Sequence, residues 1–295
     1  MANLKEIRTR LQSVHSTRKI TSAMKMVSAA KFHKAQETIL RFEPYSRKMF
    51  EVLSQAFSGG SDDPETDKWF KECGGCKKAA LIVITSNSSM CGAFNQNVVK
   101  KVLEDGPNIF SGKLNTDAVD LFFIGKKGAD ILSKKGSKIH SLDTKIIEKP
   151  NFSSASKYSE MLMDHFLNRT YDKIFVAFNQ YKNPAVQIPV IEQFLPISFP
   201  KSINQQRINQ DVIFEPDRLS IVKTIIPKAL KIKFFSYLLE VSAGEHGARM
   251  TAMHQATDNA TDLINQLTTQ YNKARQASIT KEILEIVSGA EALRG

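Results

Sequence analysis

The sequence predicts an α/β protein in which the N- and C-terminal helices form a long antiparallel coiled coil, with a small α/β domain inserted between them. Three observations carry this. The last quarter of the chain, Arg218 to Leu293, bears a narrow apolar seam. Met253, Ala256, Ala260, Leu263 and Leu267 step by 3, 4, 3 and 4 residues, and after a slip Tyr271, Ala274, Ile279, Ile283, Ile286, Ala290 and Leu293 continue it. A period near 3.5 belongs to a supercoiled helix rather than to one lying on a sheet. Residues 3 to 57 carry a second seam. Between the two lie short β-rich apolar runs separated by helical stretches, the pattern of a layered α/β domain.

In chain order, the N-terminal coiled-coil helix is expected over 1–58. Its stripe runs through Leu4, Ile7, Leu11 and Val14, shifts to Ile20, Met24 and Val27, and closes on Phe50, Leu53 and Phe57. Pro44 is expected to kink or interrupt it near Glu43. Residues 59–77 form a polar linker containing GGSDDPETD. The α/β domain spans 78–216. It has strands at Ala79 to Thr85, Val119 to Gly125 and Lys173 to Phe178, a hairpin return at Val186 to Phe194, and a possible edge strand at Asp211 to Phe214. Helices fall at Phe94 to Glu104, at Lys126 to Lys135, and at Ser153 to Arg169, the last with Ser153 or Ser154 as its cap. The C-terminal coiled-coil helix takes 217–295. At 1.5 Å per residue its 70-odd residues would extend for roughly 100 Å. A small domain cannot bury such an element, so it must pair with the N-terminal helix, enter a partner, or both.

Composition narrows the function. The chain of 295 residues has 41 basic and 30 acidic side chains, for a net charge of +11, which suits an acidic partner such as nucleic acid, an anionic surface or acidic protein loops. The first residues are polar and amphipathic, so no signal peptide is expected. The longest apolar run, Ala79 to Ile84, is far too short to span a membrane, and three cysteines are too few for a disulfide framework.

No constellation for bond chemistry stands out, and neither a cofactor nor a metal site is expected. The phosphate-cradling glycine motifs are missing, and the turn Ser86 to Asn95 holds one glycine. It reads as a strand-to-helix loop capped by Ser and Asn. Cys73-Gly-Gly-Cys76 has no second ligand pair for zinc and precedes a strand rather than opening a helix. The six histidines are scattered. Arg8, Arg10, Arg18, Lys19, Lys25, Lys31 and Lys34 make the first helix basic, but no aromatic residues interleave with them as stacking platforms. Nucleic-acid binding is therefore not expected, although a coiled-coil adaptor or nucleic-acid protein is the alternative class.

The terminal segments carry a resemblance. Ile20-Thr-Ser-Ala-Met-Lys-Met-Val-Ser-Ala-Ala-Lys31, Ala248-Arg-Met-Thr-Ala-Met253, Ala256-Thr-Asp-Asn-Ala260 and Tyr271 to Ile283, with Glu285 to Ala290, closely resemble the two signatures of the γ subunit of bacterial F-type ATP synthase. Met90 to Asn95 falls in the matching middle position, although Ser86 to Ser89 lack the Arg and Gly usual there.

The resemblance implies a Rossmann-like inserted domain and a non-catalytic rotor shaft. Its partners would be the α and β subunits of an α3β3 ring, the ε subunit and the membrane c-ring. It would sit peripherally on the cytoplasmic face of the bacterial inner membrane, without inserting. By family position Met24, Lys25, Arg249, Arg275, Gln276, Thr280 and Glu282 would make rotor–stator contacts, and Ile283, Ile286, Val287, Ala290 and Leu293 would form the bearing tip. Gly244 and Gly247 depart from the family's larger residues. Each glycine should cost about 1 kcal/mol in an exposed helix, so they are expected to mark close helix–helix approach or a softer segment.

Overall fold

The computed structural model describes residues 4–57, 67–70, 78–110, 118–198 and 218–292. The expected linker cysteines Cys73 and Cys76, the expected strand at Asp211 to Phe214 and the tip residue Leu293 lie outside the described residues.

Two helices dominate, α1 (Leu4–Phe57) and α6 (Arg218–Ala292). Between them run β1 (Ala79–Ile84), α2 (Phe94–Ile109), β2 (Val119–Ile124), α3 (Lys126–Ser133), β3 (Ile139–Asp143), α4 (Lys145–Glu148), α5 (Phe152–Leu167), β4 (Lys173–Tyr181) and β5 (Gln187–Leu195). The sheet order is β3-β2-β1-β4-β5. β1 pairs in parallel with β2 and β4, β2 in parallel with β3, and β4 antiparallel with β5.

Alternation of side chains across β1 builds two cores, because successive residues of a strand face opposite ways. Ala80, Ile82 and Ile84 face one core, with Leu162, Met163 and Phe166 of α5, Val222 to Val241 of α6, and Leu53 and Ala56 of α1. Ala79, Leu81 and Val83 face the other, with Val98, Val99 and Val102 of α2 and Ala129 and Leu132 of α3. Every residue of β1 is buried, as expected of a central parallel strand covered on both faces.

The chain divides into two compact units, residues 1–28 with 250–295, and residues 29–249. The division falls inside both long helices, whereas the expected boundaries at 58 and 217 follow their outer ends. In the larger unit α1 and α6 are antiparallel. Phe32 lies against Gly247, and ten residues further along α1 Phe42 packs edge-on against Phe235, 5.1 Å between ring centres.

Several local expectations are corrected. Pro44 is accommodated inside α1 without interrupting it. The position is exposed, so water can take the freed carbonyl, and packing of Phe42, Leu53 and Ala56 holds the flanks. Pro227 is likewise internal to α6. α2 continues past Glu104 to Ile109 through Gly106 and Pro107. The cap of α5 is Asn151, whose Oδ1 accepts from Ser154 N at 2.7 Å, rather than Ser153 or Ser154. β3 and α4 carry no periodic apolar signal. β3 is an edge strand with four of five residues exposed.

Candidate functional site

In the smaller unit Ile7 on α1 and Met253, Ala260, Ile264 and Leu267 on α6 are buried. Ala256 and Leu263, expected in the α6 seam, are only half-buried, and the 4–3 spacing of a heptad runs instead through Thr257, which meets Thr21, and Ile264. The seam on α1 departs from the apolar reading, however. Ile20 and Val27 are 60% and 57% exposed, while Thr21 and Ser28 are buried in their place. A period of 3.5 continued from Val14 reaches Thr21 and Ser28, and Thr21 is satisfied there: its hydroxyl and that of Thr257 are 2.9 Å apart. The expected contact residues Met24 and Lys25 are half-buried beside this pair.

Beyond Ala274 every described residue of α6 is exposed. Ile279, Ile283, Leu284, Ile286 and Val287 stand 48–71% open, forming an apolar surface that nothing among the described residues covers. Ala290 lies beyond it, also exposed. Leu284 was not among the expected tip residues. It lies next to Ile283 rather than on the 3–4 spacing, and only its exposure reveals it. Arg275, Gln276, Thr280 and Glu282 are exposed on the same segment, with the Thr280 hydroxyl donating to Gln276 O at 2.9 Å.

Arg249 is different. It is 8% exposed, and its Nη2 is 2.8 Å from Glu245 Oε1 one turn back and 2.8 Å from Ser88 Oγ in the loop after β1. Burial pushes the Glu245 carboxyl up, and Arg249 pulls it back by charge and hydrogen bond. Neighbouring His246 is driven down to about 4 by burial, with the charges of Arg249 and Lys31 adding.

The loop that Arg249 grips is tied internally. Ser86 N donates to Asn95 Oδ1 at 2.9 Å, and Asn95 Nδ2 donates to Ser86 Oγ at 2.8 Å and to Cys91 Sγ at 3.3 Å. Met90 and Gly92 take left-handed backbone, φ 67° and 60°. The Ser86 amide and the Asn95 side chain are thus engaged with each other, but neither caps the helix as expected: the N-cap of α2 is Ala93, which makes no side-chain cap hydrogen bond, and Asn95 ties the first turn of α2 back to the end of β1.

The two glycines sit where α6 meets other elements. A Cβ on Gly244 would lie 3.1 Å from the Phe94 ring and 3.3 Å from Gln187 Cγ. One on Gly247 would lie 3.1 Å from Pro184 O, 3.2 Å from Pro184 Cα and 3.4 Å from the Phe32 ring. The closest approach is therefore to α2 and to the β4–β5 hairpin, with Phe32 of α1 slightly farther from Gly247.

Among the described residues no group of three or more His, Cys, Asp or Glu side chains could hold a metal ion. No helix there is long and apolar enough to cross a membrane.

Comparison with known proteins agrees with this architecture. A family model described as ATP synthase matches residues 3–293. The chain is 50% identical to an ATP synthase gamma chain of Flavobacterium psychrophilum and 49% identical to one of Christiangramia forsetii, in each case over the full length of both. Among solved structures, a chain in the Euglena gracilis mitochondrial ATP synthase, OSCP/F1/c-ring assembly, aligns with a TM-score of 0.66 at 19% identity, covering 98% of this chain and 94% of that one. A chain of the Euglena gracilis rotor aligns with a TM-score of 0.65 at 18% identity, covering 94% and 98%. At these identities the structural matches speak to the fold.

Proposed function

Since the chain belongs to the ATP synthase gamma-chain family, we propose that it is the central-stalk rotor subunit, coupling proton flow through the membrane c-ring to conformational cycling of the catalytic β subunits. The observation that carries the reading is the uncovered apolar surface from Ile279 to Val287, continuous with a helix whose earlier seam is buried. An exposed stripe of this kind needs a sleeve, and an α3β3 ring supplies one.

The mechanism follows from asymmetry. A shaft of two helices presents a different face in each direction. Set in a ring of near-threefold symmetry, it contacts three chemically identical β subunits unequally. Only differential contact free energy shifts a conformational equilibrium, and the unequal faces supply it. The chain itself performs no bond chemistry on this reading. Met24 and Lys25 on α1, with Arg275, Gln276, Thr280 and Glu282 on α6, grip the stator. Ile283, Ile286, Val287, Ala290 and Leu293 turn in the bearing. The α/β domain meets the ε subunit and the c-ring on the cytoplasmic side of the membrane.

Co-purification with α and β subunits tests this. The expected result is a complex of α3β3γ stoichiometry with ATPase activity, in which charge reversal Lys25→Glu and the variant Arg275→Ala slow ATP turnover. A chain that never joins α and β, or that binds DNA tightly at physiological salt, overturns the proposal.

A further inference from the structure

Arg249 was expected to face the stator, yet its guanidinium is engaged within the chain. Both short contacts fall on one nitrogen, Nη2, and its two hydrogens are accounted for by Glu245 Oε1 and Ser88 Oγ, each at 2.8 Å. Longer contacts reach Ser88 O at 3.5 Å and Ser89 O at 3.4 Å. Glu245 and Arg249 are both 8% exposed, so the pair works where charge-assisted bonds are strong and an orphaned partner is costly. Ser88 belongs to a loop that cannot easily follow by bending. The Ser88 carbonyl accepts from Ser86 Oγ at 2.6 Å, and Ser86 is in turn bonded through its amide and hydroxyl to Asn95, in the first turn of α2. Force on Ser88 is therefore passed to the end of β1 and to α2. Arg249 is also the last residue of the larger compact unit, where α6 leaves the α/β domain.

We infer that Arg249 is a positioning residue, a latch that binds the C-terminal helix to the Ser86–Asn95 loop so that torque in α6 turns the α/β domain without slack. The inference rests on the rotor reading. The neighbouring contacts at Gly244 and Gly247 are van der Waals surfaces, which resist compression but transmit little shear. The latch is the directional bond between α6 and this loop. It assigns to Arg249 a mechanical role inside the rotor, distinct from a grip on the ring.

The test uses α3β3γ complexes with the ring immobilised and a bead coupled to Lys134→Cys on the domain, in a background of Cys73→Ser, Cys76→Ser and Cys91→Ser. Angular fluctuations of the bead during a dwell measure the stiffness between ring and domain. Ser88→Ala removes the acceptor hydroxyl while leaving Glu245 and Arg249 paired. It is expected to broaden the fluctuations about twofold at unchanged ATPase rate, and Ser88→Thr, which keeps the oxygen, restores the narrow distribution. In separate complexes that retain Cys91, its buried thiol, 2% exposed, is expected to label about 10-fold faster in Ser88→Ala, as loss of a charge-assisted bond loosens the loop. A spread in Ser88→Ala equal to wild type refutes the latch, whatever the labelling rate does. Broadening that Ser88→Thr does not reverse refutes it as well. Failure of the wild-type chain to assemble with α and β refutes the rotor reading instead.

Discussion

Replacing Glu240 by Gln should stabilise the α/β unit at pH 7.5 and leave it unchanged near pH 4.5. Glu240 lies on α6, where Tyr181 N–H donates to it at 3.3 Å and the Ser236 hydroxyl lies at 3.5 Å. It lines a cavity of about 450 Å³ with Glu43, Arg47 and Lys182. Burial, assisted by the charges of Glu192 and Glu43 against the pull of those two hydrogen bonds, pushes its carboxyl up from 4.5 to about 7. The folded chain thus holds a proton that the unfolded chain releases between pH 4.5 and 7. Stability falls as pH rises through that window, at about 1.4 kcal/mol per pH unit. The full shift corresponds to about 3 kcal/mol, and because Glu240 is only partly buried solvent screening reduces this to about 1–2 kcal/mol. His246 acts in the opposite sense. Burial, with Arg249 and Lys31 adding, depresses it from 6.5 to about 4, so its contribution is complete above pH 6.5 and is lost as pH falls toward 4. Between 4.5 and 6.5 the two slopes oppose each other in the wild type. Glu240→Gln removes one and exposes the other. Trp69 is the single tryptophan and stacks on Phe166 within this unit, 6.4 Å between ring centres, so urea unfolding followed by its fluorescence reads the unit directly. A Glu240→Gln midpoint at or below wild type at pH 7.5, or a difference between the two proteins that does not change with pH, refutes the reasoning.

Three further outcomes follow from packing. Gly247→Ala should cost about 1–2 kcal/mol despite the gain in helix propensity, because its Cβ would press on the Pro184 backbone; Gly244→Ala, pressing on a ring and a side chain that can shift, should fall within about 0.5 kcal/mol of wild type, and urea midpoints compare the two. Leu267→Ala empties a buried seam position and should cost about 2–4 kcal/mol, read as faster amide exchange across 253–270 with the Trp69 transition unmoved. Ile283→Asp with Ile286→Asp should raise the soluble concentration of the lone chain several-fold, and solubility equal to wild type would show that the apolar tip is not what limits it.

Much of the fold was legible because its signals are periodic. The buried strands β1, β2 and β4 announce themselves as continuous apolar runs, and α6 announces itself by a long stretch free of Gly and Pro. What escaped was held by tertiary context. β3 reads Ile-His-Ser-Leu-Asp, with no clean alternation, and is a strand because β2 offers it an edge to pair with. Gly106 and Pro107 look like a helix stop, yet α2 runs through them with Gly106 buried and Phe110 N bonded back to its carbonyl at 2.8 Å. The site divides in the same way. The exposed residues of α6 proposed to meet the stator, Arg275, Gln276, Thr280 and Glu282, come from sequence likeness. The Arg249 latch was not, since no local pattern links Ser88 to a residue so far along the chain.

The misread seam on α1 is the most informative of these differences. Hydropathy favours Ile20 and Val27 as seam residues, but the coil uses Thr21 and Ser28 and leaves both apolar side chains open, with Met26 beside them at 66% exposure. A short polar pair in the seam lets the two backbones approach, and the Thr21–Thr257 hydrogen bond removes the penalty of burying hydroxyls. The apolar residues displaced outward are then not waste. On the rotor reading, Ile20, Met26 and Val27 belong with Ile283, Ile286 and Val287 among the side chains that an enclosing ring must cover. Both helices of the smaller unit therefore carry two apolar surfaces, one spent on the coil and one left for a partner. A sequence read for a single seam merges them, and that merging is what placed Ile20 and Val27 on the wrong side of α1.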